Sequence, residues 1–153
     1  MKRLVILLAI TAALPAHADR LPLPADTPAS YRAECGSCHL AYPPALLAAG
    51  DWRRIMAGLD DHFGSDAAVD DQKRQEITAF LERRAGNAEK LGSAGEPPRI
   101  SQTARFVRKH REVPAGLWRD PRVRSPANCE ACHRGAADGN YSEHDIALRE
   151  LKR

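Results

Sequence analysis

The chain has 153 residues, a formal net charge of +3 at pH 7, 28% charged residues and 5% aromatic residues. This length allows one domain or two very small ones, which excludes a protein of several full-sized domains. The 4 cysteines all lie in two short motifs, so no thiol remains for a disulfide. Stability must therefore come from the core and from bound cofactors.

The N-terminus has the pattern of an export signal. Two basic residues precede an apolar run over residues 4–14, and a small-x-small cleavage site, Ala16-His17-Ala18, comes directly before Asp19. The apolar run is too short to cross a bilayer, so a membrane anchor is the weaker interpretation and no direct membrane span is expected. We predict a signal peptide over residues 1–18, cleavage after Ala18 and a periplasmic mature protein.

The first predicted helix leads into a Cys-x-x-Cys-His motif. Thr27 followed by Pro28 is a typical helix start, with a capping hydroxyl and a proline at the first helical position. The helix should run through Tyr31 into the motif. The motif residues are Cys35, Cys38 and His39.

This motif is the pattern of covalent c-type haem attachment. Two thiols one helical turn apart can each form a thioether with a porphyrin vinyl group, and the histidine that follows is held against the iron. The other ring nitrogen of His39 is then free to be oriented by a backbone carbonyl. The carbonyls of Pro43 and Pro44 are the candidates for that contact.

Residues 51–63 are predicted to form an amphipathic helix. Its apolar face consists of Trp52, Ile55, Met56, Leu59 and Phe63. His62 falls on the same face, which predicts it as the second iron ligand of the first haem. Met56 is the rival ligand, because it is the only methionine left after signal removal. Its regular place in the apolar stripe favours a core residue instead.

A third helix is predicted to begin near Asp70 or Asp71 and to end at Gly86, with Ile77, Phe80 and Leu81 on one face. Residues 87–98 have the composition of a linker. We therefore predict an N-terminal haem lobe over residues 19–86, a linker over 87–98 and a C-terminal haem lobe over 99–153. The predicted fold is all-α, with two small haem-binding lobes.

The second half opens with a predicted helix from Ser101 to Val113 that is stopped by Pro114. Phe106 and Val107 share a face with His110, so an apolar stripe again ends in a histidine. His110 is therefore the predicted second ligand of the second haem.

The second Cys-x-x-Cys-His motif lies about 90 residues after the first, and Ser125-Pro126 is predicted to start a short helix into it. Its residues are Cys129, Cys132 and His133. A structural zinc site would usually bring its cysteine pairs within about 15–20 residues, so two covalently bound haem c groups are the stronger interpretation.

Two alternatives for ligation stay open at this point. His144 could replace His110, although its place in the first turn of a C-terminal helix capped by Ser142 is more typical of a surface residue. In crossed ligation, His110 would instead serve the first haem. The preferred set of iron ligands is His39, His62, His110 and His133, which would leave neither iron an open position for a substrate.

Charge is distributed unevenly along the chain. Residues 19–98 hold 9 basic and 13 acidic residues, whereas residues 99–134 hold 9 basic and 3 acidic residues. Several of the arginines would neutralise haem propionates. The surplus predicts a basic face near the second haem that attracts an acidic redox partner. Nucleic-acid binding is a poor explanation for an exported haem protein.

Three segments resemble the small bacterial dihaem cytochromes c that donate electrons to an oxygen-binding monohaem cytochrome. The segments are GLDDHFG at 58–64, RIS at 99–101 followed by FVRKHRE at 106–112, and ANCEACH at 127–133. The resemblance implies two bis-histidine haems with His62 and His110 as distal ligands. It also implies a first lobe like a class I cytochrome c and a periplasmic electron carrier, often next to a membrane b-type cytochrome.

The sequence as a whole predicts a dihaem electron carrier that performs no bond chemistry and is not an enzyme. The alternatives are a peroxidase-like dihaem enzyme or a gas sensor, each of which needs one haem with an open position. Such peroxidases are normally much longer chains, and a sensor would need an output domain. The expected partners are therefore redox proteins: an oxygen-binding monohaem cytochrome and a membrane b-type cytochrome.

Overall fold

A computed structural model describes residues 19–146 of the chain. Within this range the regular elements are helices, together with two isolated antiparallel bridges that pair Arg20 with Asn140 and His133 with Ile146. The α-helices are α1 (Ala29–Cys35), α2 (Ala49–Ala57), α3 (Asp71–Arg83), α4 (Ala88–Leu91) and α5 (Ala104–Lys109). Single turns of 3-10 helix cover Pro44–Leu46, Leu59–Asp61, Ile100–Gln102, Leu117–Arg119, Cys129–Ala131, Ala136–Asp138 and Glu143–Asp145.

The predicted all-α class is confirmed, while the likeness of the first lobe to a class I cytochrome c stays a prediction. None of the helices in residues 19–146 has the length and apolar character needed to cross a bilayer.

One apolar core lies between α1, α2 and α3. Its buried members are Tyr31, Leu47, Trp52, Met56, Ile77, Phe80, Leu81 and Ala94. The predicted apolar face of the third helix is confirmed, because Ile77, Phe80 and Leu81 are all buried in this core. The helix also begins as predicted, since the Asp70 carboxylate accepts a hydrogen bond of 2.9 Å from the backbone N–H of Lys73.

The start of α1 differs from the prediction. The Thr27 hydroxyl does not cap the helix; it donates to the carbonyl of Pro24, and Pro28 takes the N-cap position without a side-chain hydrogen bond. Thr27 therefore stabilises the turn before the helix rather than its first N–H groups.

The predicted helix over residues 51–63 is wrong at its C-terminal end. Helix α2 stops at Ala57, with Gly58 as its C-cap, and a single 3-10 turn follows. Phe63 and Gly64 then adopt positive φ values of 57° and 91°. Glycines at both ends of a short aspartate-rich segment favour a turn over a continuous helix. His62 therefore lies in a turn, where its N–H donates to the carbonyl of Ser65 at 2.8 Å.

Residues 87–98, the predicted linker, pack against the rest of the protein. Asn87 caps α4 by accepting a hydrogen bond of 3.0 Å from the N–H of Lys90, and Leu91, Ala94 and Pro98 are buried. Buried side chains tie this segment to its neighbours, so it does not act as a free tether. The exact lobe boundaries stay a prediction.

The second half is built from shorter pieces than predicted. Helix α5 covers only Ala104–Lys109. It begins after Thr103, whose hydroxyl caps it by accepting a hydrogen bond of 3.1 Å from the N–H of Phe106, and it ends at His110, the C-cap. A 3-10 turn, Cys129–Ala131, replaces the predicted helix into the second motif. Ser142 caps a 3-10 turn where the predicted C-terminal helix would begin, and the rest of that predicted helix lies outside the described residues.

Few apolar side chains are buried in residues 99–146. They are Val123 and Ala136, whereas the core around α1 to α3 holds Trp52, Phe80 and six others. The beginning of the described chain covers part of this half, since the N–H of Leu21 donates to the carbonyl of Gly139 at 2.7 Å. Side chains alone therefore give the second half little apolar core.

We expect Phe80→Ala to lower the free energy of unfolding by about 3–5 kcal/mol, because Phe80 is fully buried and its removal leaves a cavity. The control is Val107→Ala, since Val107 is 57% exposed and its truncation should change stability by no more than about 0.5 kcal/mol. Urea unfolding followed by far-ultraviolet circular dichroism measures both. Equal losses in the two variants would contradict the assigned core.

Candidate haem sites

The first candidate site lies between His39 and His62. His39 follows α1 and the first cysteine pair, and His62 lies in the turn after α2. Their ring centroids are 6.2 Å apart, with 29° between the ring planes. Metal–imidazole bonds are about 2.0–2.1 Å long, so two imidazoles on opposite sides of one metal have ring centroids about 6.3 Å apart. The pair therefore has the separation that a shared metal requires.

A backbone carbonyl orients the ring of His39, as predicted, but it belongs to a different residue. Nδ1 of His39 lies 2.8 Å from the carbonyl oxygen of Leu40, so the tautomer protonated at Nδ1 donates there and leaves Nε2 free for a metal. The prediction of Pro43 or Pro44 is wrong. The Pro44 carbonyl accepts instead from Nε1 of Trp52 at 2.7 Å.

Aromatic rings cover both histidines of the first site. Tyr42 stacks on His39 with ring centroids 4.8 Å apart, and Phe63 lies 4.8 Å from His62. The guanidinium of Arg99 lies 3.9 Å from the centre of the Phe63 ring, a cation–π contact. Burial, helped by the charges of His39 and Arg99, lowers the pKa of His62. His62 is therefore held in the neutral form that binds metals.

The second candidate site lies between His110 and His133. Their ring centroids are 6.1 Å apart and their ring planes are at 88°, so the separation again fits two ligands of one metal. Nδ1 of His110 lies 2.9 Å from the carbonyl oxygen of Phe106, and the Phe106 ring stacks on His110 at 3.9 Å. His110 is therefore fixed in orientation with Nε2 free, as His39 is in the first site.

One cavity joins the predicted residues of the second site. His110, Cys129, Cys132 and His133 all line it. Apolar residues from both halves of the chain line it too, among them Leu21, Leu46, Leu91, Phe106, Trp118 and Ile146. A mostly apolar cavity that carries two cysteines and two histidines has the chemistry that a covalently attached porphyrin needs.

Two buried polar atoms at this cavity have no hydrogen-bond partner among the described residues. They are Nδ1 of His133 and the hydroxyl oxygen of Tyr141, and the two rings lie 5.6 Å apart. Buried polar groups are normally paired, so the Tyr141 hydroxyl fits a bound group that brings polar substituents, as haem does with its propionates. Burial, followed by the charge of His110, lowers the pKa of His133, which favours its neutral form.

None of the four cysteines forms a disulfide. Burial raises the pKa of Cys35 and of Cys129 to about 11 in each case, and it also raises the pKa of Cys132. Before thioether bonds form, these three thiols are therefore protonated at neutral pH. Neither pair is consumed in a disulfide, so both remain available for thioether bonds.

The rival ligands lie elsewhere. Met56 is 4% exposed and belongs to the core between the helices. His144 is exposed, in the 3-10 turn capped by Ser142. His62 and His110 each face the histidine of their own half.

Sequence reasoning missed the aromatic and cationic partners of the ligands. Tyr42 received no role, and Phe63 was assigned to an apolar helix face, whereas its ring covers His62 and contacts Arg99. The sequence did hold a signal for the aromatic partners, because Tyr42 lies three residues after His39 and Phe63 directly follows His62. Arg99 is distant in sequence from His39 and His62, so no local pattern could connect it to Phe63.

Comparison with known proteins identifies the family of the chain. The family model for dihaem cytochrome c matches residues 31–141. The diheme cytochrome c of Rhodobacter sphaeroides is 40% identical, over 75% of this chain and 97% of that one, with a TM-score of 0.66. The diheme cytochrome c of Shewanella baltica is 38% identical, over 79% of this chain and 92% of that one, with a TM-score of 0.69. The search of curated proteins found no match.

The matched range contains both Cys-x-x-Cys-His motifs and the two histidines that face them. In each half, the covalent attachment residues therefore fall within the range shared with the family. The chain belongs to the dihaem cytochrome c family, with two covalently bound c-type haems and a haem-based function in electron transfer.

Proposed function

We propose that the protein is a periplasmic electron carrier in which two histidines ligate each iron. His39 and His62 would hold the first iron, and His133 and His110 the second. Each haem supplies an iron that gains and loses one electron reversibly. The protein would hold the ligands of each iron in place, determine its surroundings and control which molecules reach it.

The observation that carries this proposal is the spacing of the two histidine pairs. The ring centroids are 6.2 Å apart in the first pair and 6.1 Å in the second, close to the roughly 6.3 Å expected across one metal. The same distances support uncrossed ligation, because each distal histidine faces the proximal histidine of its own half. The core position of Met56 and the exposure of His144 support the same set.

The hydrogen bonds of His39 and His110 support a carrier in a second way. Each ring is held through Nδ1 by a backbone carbonyl, and each is stacked against an aromatic ring. Ligands that are held from two sides move little when the charge of the iron changes, so electron transfer needs little rearrangement of the protein.

With His39 and His62 holding one iron and His110 and His133 the other, no coordination position would remain for a substrate at either iron. This argues against a peroxidase-like enzyme and against a gas sensor, since each needs an open position. Two histidines also favour a lower reduction potential than histidine with methionine, because the thioether stabilises the reduced iron.

We further propose that the protein passes electrons between a membrane b-type cytochrome and an oxygen-binding monohaem cytochrome. The signal-like N-terminus supports export. The basic surface of the second half would attract an acidic partner, since Arg108, Arg119 and Arg124 are exposed and form no ion pair with other described residues. Such a surface raises the rate of association more than the final affinity.

We expect two distinct low-spin signals in the electron paramagnetic resonance spectrum of the oxidised protein. Near-parallel imidazoles, 29° apart, split the iron orbitals and give a rhombic signal, whereas imidazoles at 88° give a strongly anisotropic one. The near-infrared spectrum should lack a methionine-to-iron charge-transfer band. Such a band would contradict ligation by His62 and favour Met56.

We expect His110→Ala to open the second iron, so that the reduced variant binds carbon monoxide at one haem and the oxidised variant loses one low-spin signal. His144→Ala is the control and should behave like the wild type, because His144 is exposed. Carbon monoxide difference spectra of the reduced proteins measure both variants. Rapid binding by the wild type would favour the enzyme or sensor alternative.

We expect the double variant Arg119→Glu/Arg124→Glu to be oxidised more slowly by ferricyanide, by about threefold to tenfold at low salt, because the anion loses electrostatic attraction. The matched control is the double variant Arg32→Glu/Arg83→Glu, which changes the net charge by the same amount at two exposed arginines of the first half, in α1 and α3. Stopped-flow kinetics at several salt concentrations measure the effect. An equal loss in the control would show that net charge, rather than the basic surface of the second half, sets the rate.

A further inference from the structure

Tyr42 contacts both haem sites. Its ring stacks on His39, with centroids 4.8 Å apart and planes at 24°. Its hydroxyl donates a hydrogen bond of 2.6 Å to the carbonyl of Ala127, which lies 85 residues further along the chain. A single side chain therefore joins an axial ligand of the first site to the chain that leads into the second motif.

The carbonyl of Ala127 is tied directly to the second attachment site. It also accepts the backbone N–H of Cys129 at 3.0 Å, and it lies 3.6 Å from Sγ of the same cysteine. A change in the position of this carbonyl must therefore change the position of Cys129, the first thioether residue of the second haem.

The other end of the link is fixed in the apolar core. The Tyr31 hydroxyl donates a hydrogen bond of 2.6 Å to the backbone carbonyl of Tyr42. Tyr31 is 2% exposed and packs on Phe80 with ring centroids 5.3 Å apart. Tyr42 is thus held by the well-packed core around α1 to α3, and its hydroxyl contacts the second half, where few apolar side chains are buried.

We propose that Tyr42 is a positioning residue: it holds the second haem attachment loop at a fixed distance from the first haem's ligand and thereby sets the rate of electron exchange between the two haems. The inference rests on the proposed ligation of the first iron by His39. In the exchange one electron leaves a ferrous iron, which becomes ferric, and reduces the other iron from ferric to ferrous. No bond forms or breaks, and Tyr42 keeps its proton.

The two contacts of Tyr42 can be removed separately. Tyr42→Phe deletes the hydrogen bond to Ala127 and keeps the ring against His39. Tyr42→Leu deletes both contacts. In the two-haem protein, flash photoreduction followed by optical spectroscopy measures the exchange rate, and electron paramagnetic resonance of the oxidised protein reports on each pair of ligands.

We expect Tyr42→Phe to slow exchange between the haems several-fold and to leave the signal of the first haem in place, because the ring that orients His39 remains. Tyr42→Leu should slow exchange and also shift that signal. The exchange rate should be sensitive to the loss of this one hydrogen bond, since small displacements of reacting groups have large effects on rate.

Thr78→Ala is the matched control. It removes a hydroxyl hydrogen bond of the same length, 2.6 Å, to a backbone carbonyl, but that bond lies within α3 and takes no part in the contacts of Tyr42. Exchange in this variant should match the wild type. An unchanged rate in Tyr42→Phe, or an equal decrease in Thr78→Ala, would overturn the role of Tyr42. A wild-type spectrum without two bis-histidine signals would instead overturn the proposed ligation.

Discussion

The distance between paired imidazoles is the constraint on which the rest of the structure depends. Each pair combines a histidine fixed in a Cys-x-x-Cys-His motif with one from a different part of the chain, and both pairs have nearly the same centroid separation. The short helices, turns and capping residues matter here mainly because they position these four imidazole rings. Thr103 caps the start of α5, and two turns later His110 ends the helix with its Nδ1 hydrogen-bonded to the carbonyl of Phe106. Local backbone chemistry therefore sets ligand geometry.

The two halves of the chain differ in how much apolar core their own side chains form. The first half buries Tyr31, Trp52, Phe80 and other large side chains between three helices. Among residues 99–146, the second half buries little apolar surface of its own and surrounds a cavity lined by two cysteines and two histidines. A porphyrin in that cavity would replace the missing side chains, since burial of apolar surface stabilises the fold whatever molecule supplies it.

The sequence predicted what depends on local pattern and missed what depends on distant contacts. The attachment motifs, the all-α class and the Asp70 cap are local, and they could be read directly. The helix over 51–63 was wrong because its apolar spacing continued past Gly58, while glycine and aspartates favoured a turn. His62 nevertheless lies beside His39, through that turn and not through a helix face. The contact of Tyr42 with Ala127 spans 85 residues, so no local signal could reveal it.

The thin core of residues 99–146 bears on how the protein matures in the cell. A chain that has not received its second cofactor would keep this half open to proteases, because degradation follows the population of open forms. A fully loaded chain would be closed and resistant. Cofactor insertion would then act as quality control, and the pool that survives would consist of molecules carrying both redox centres.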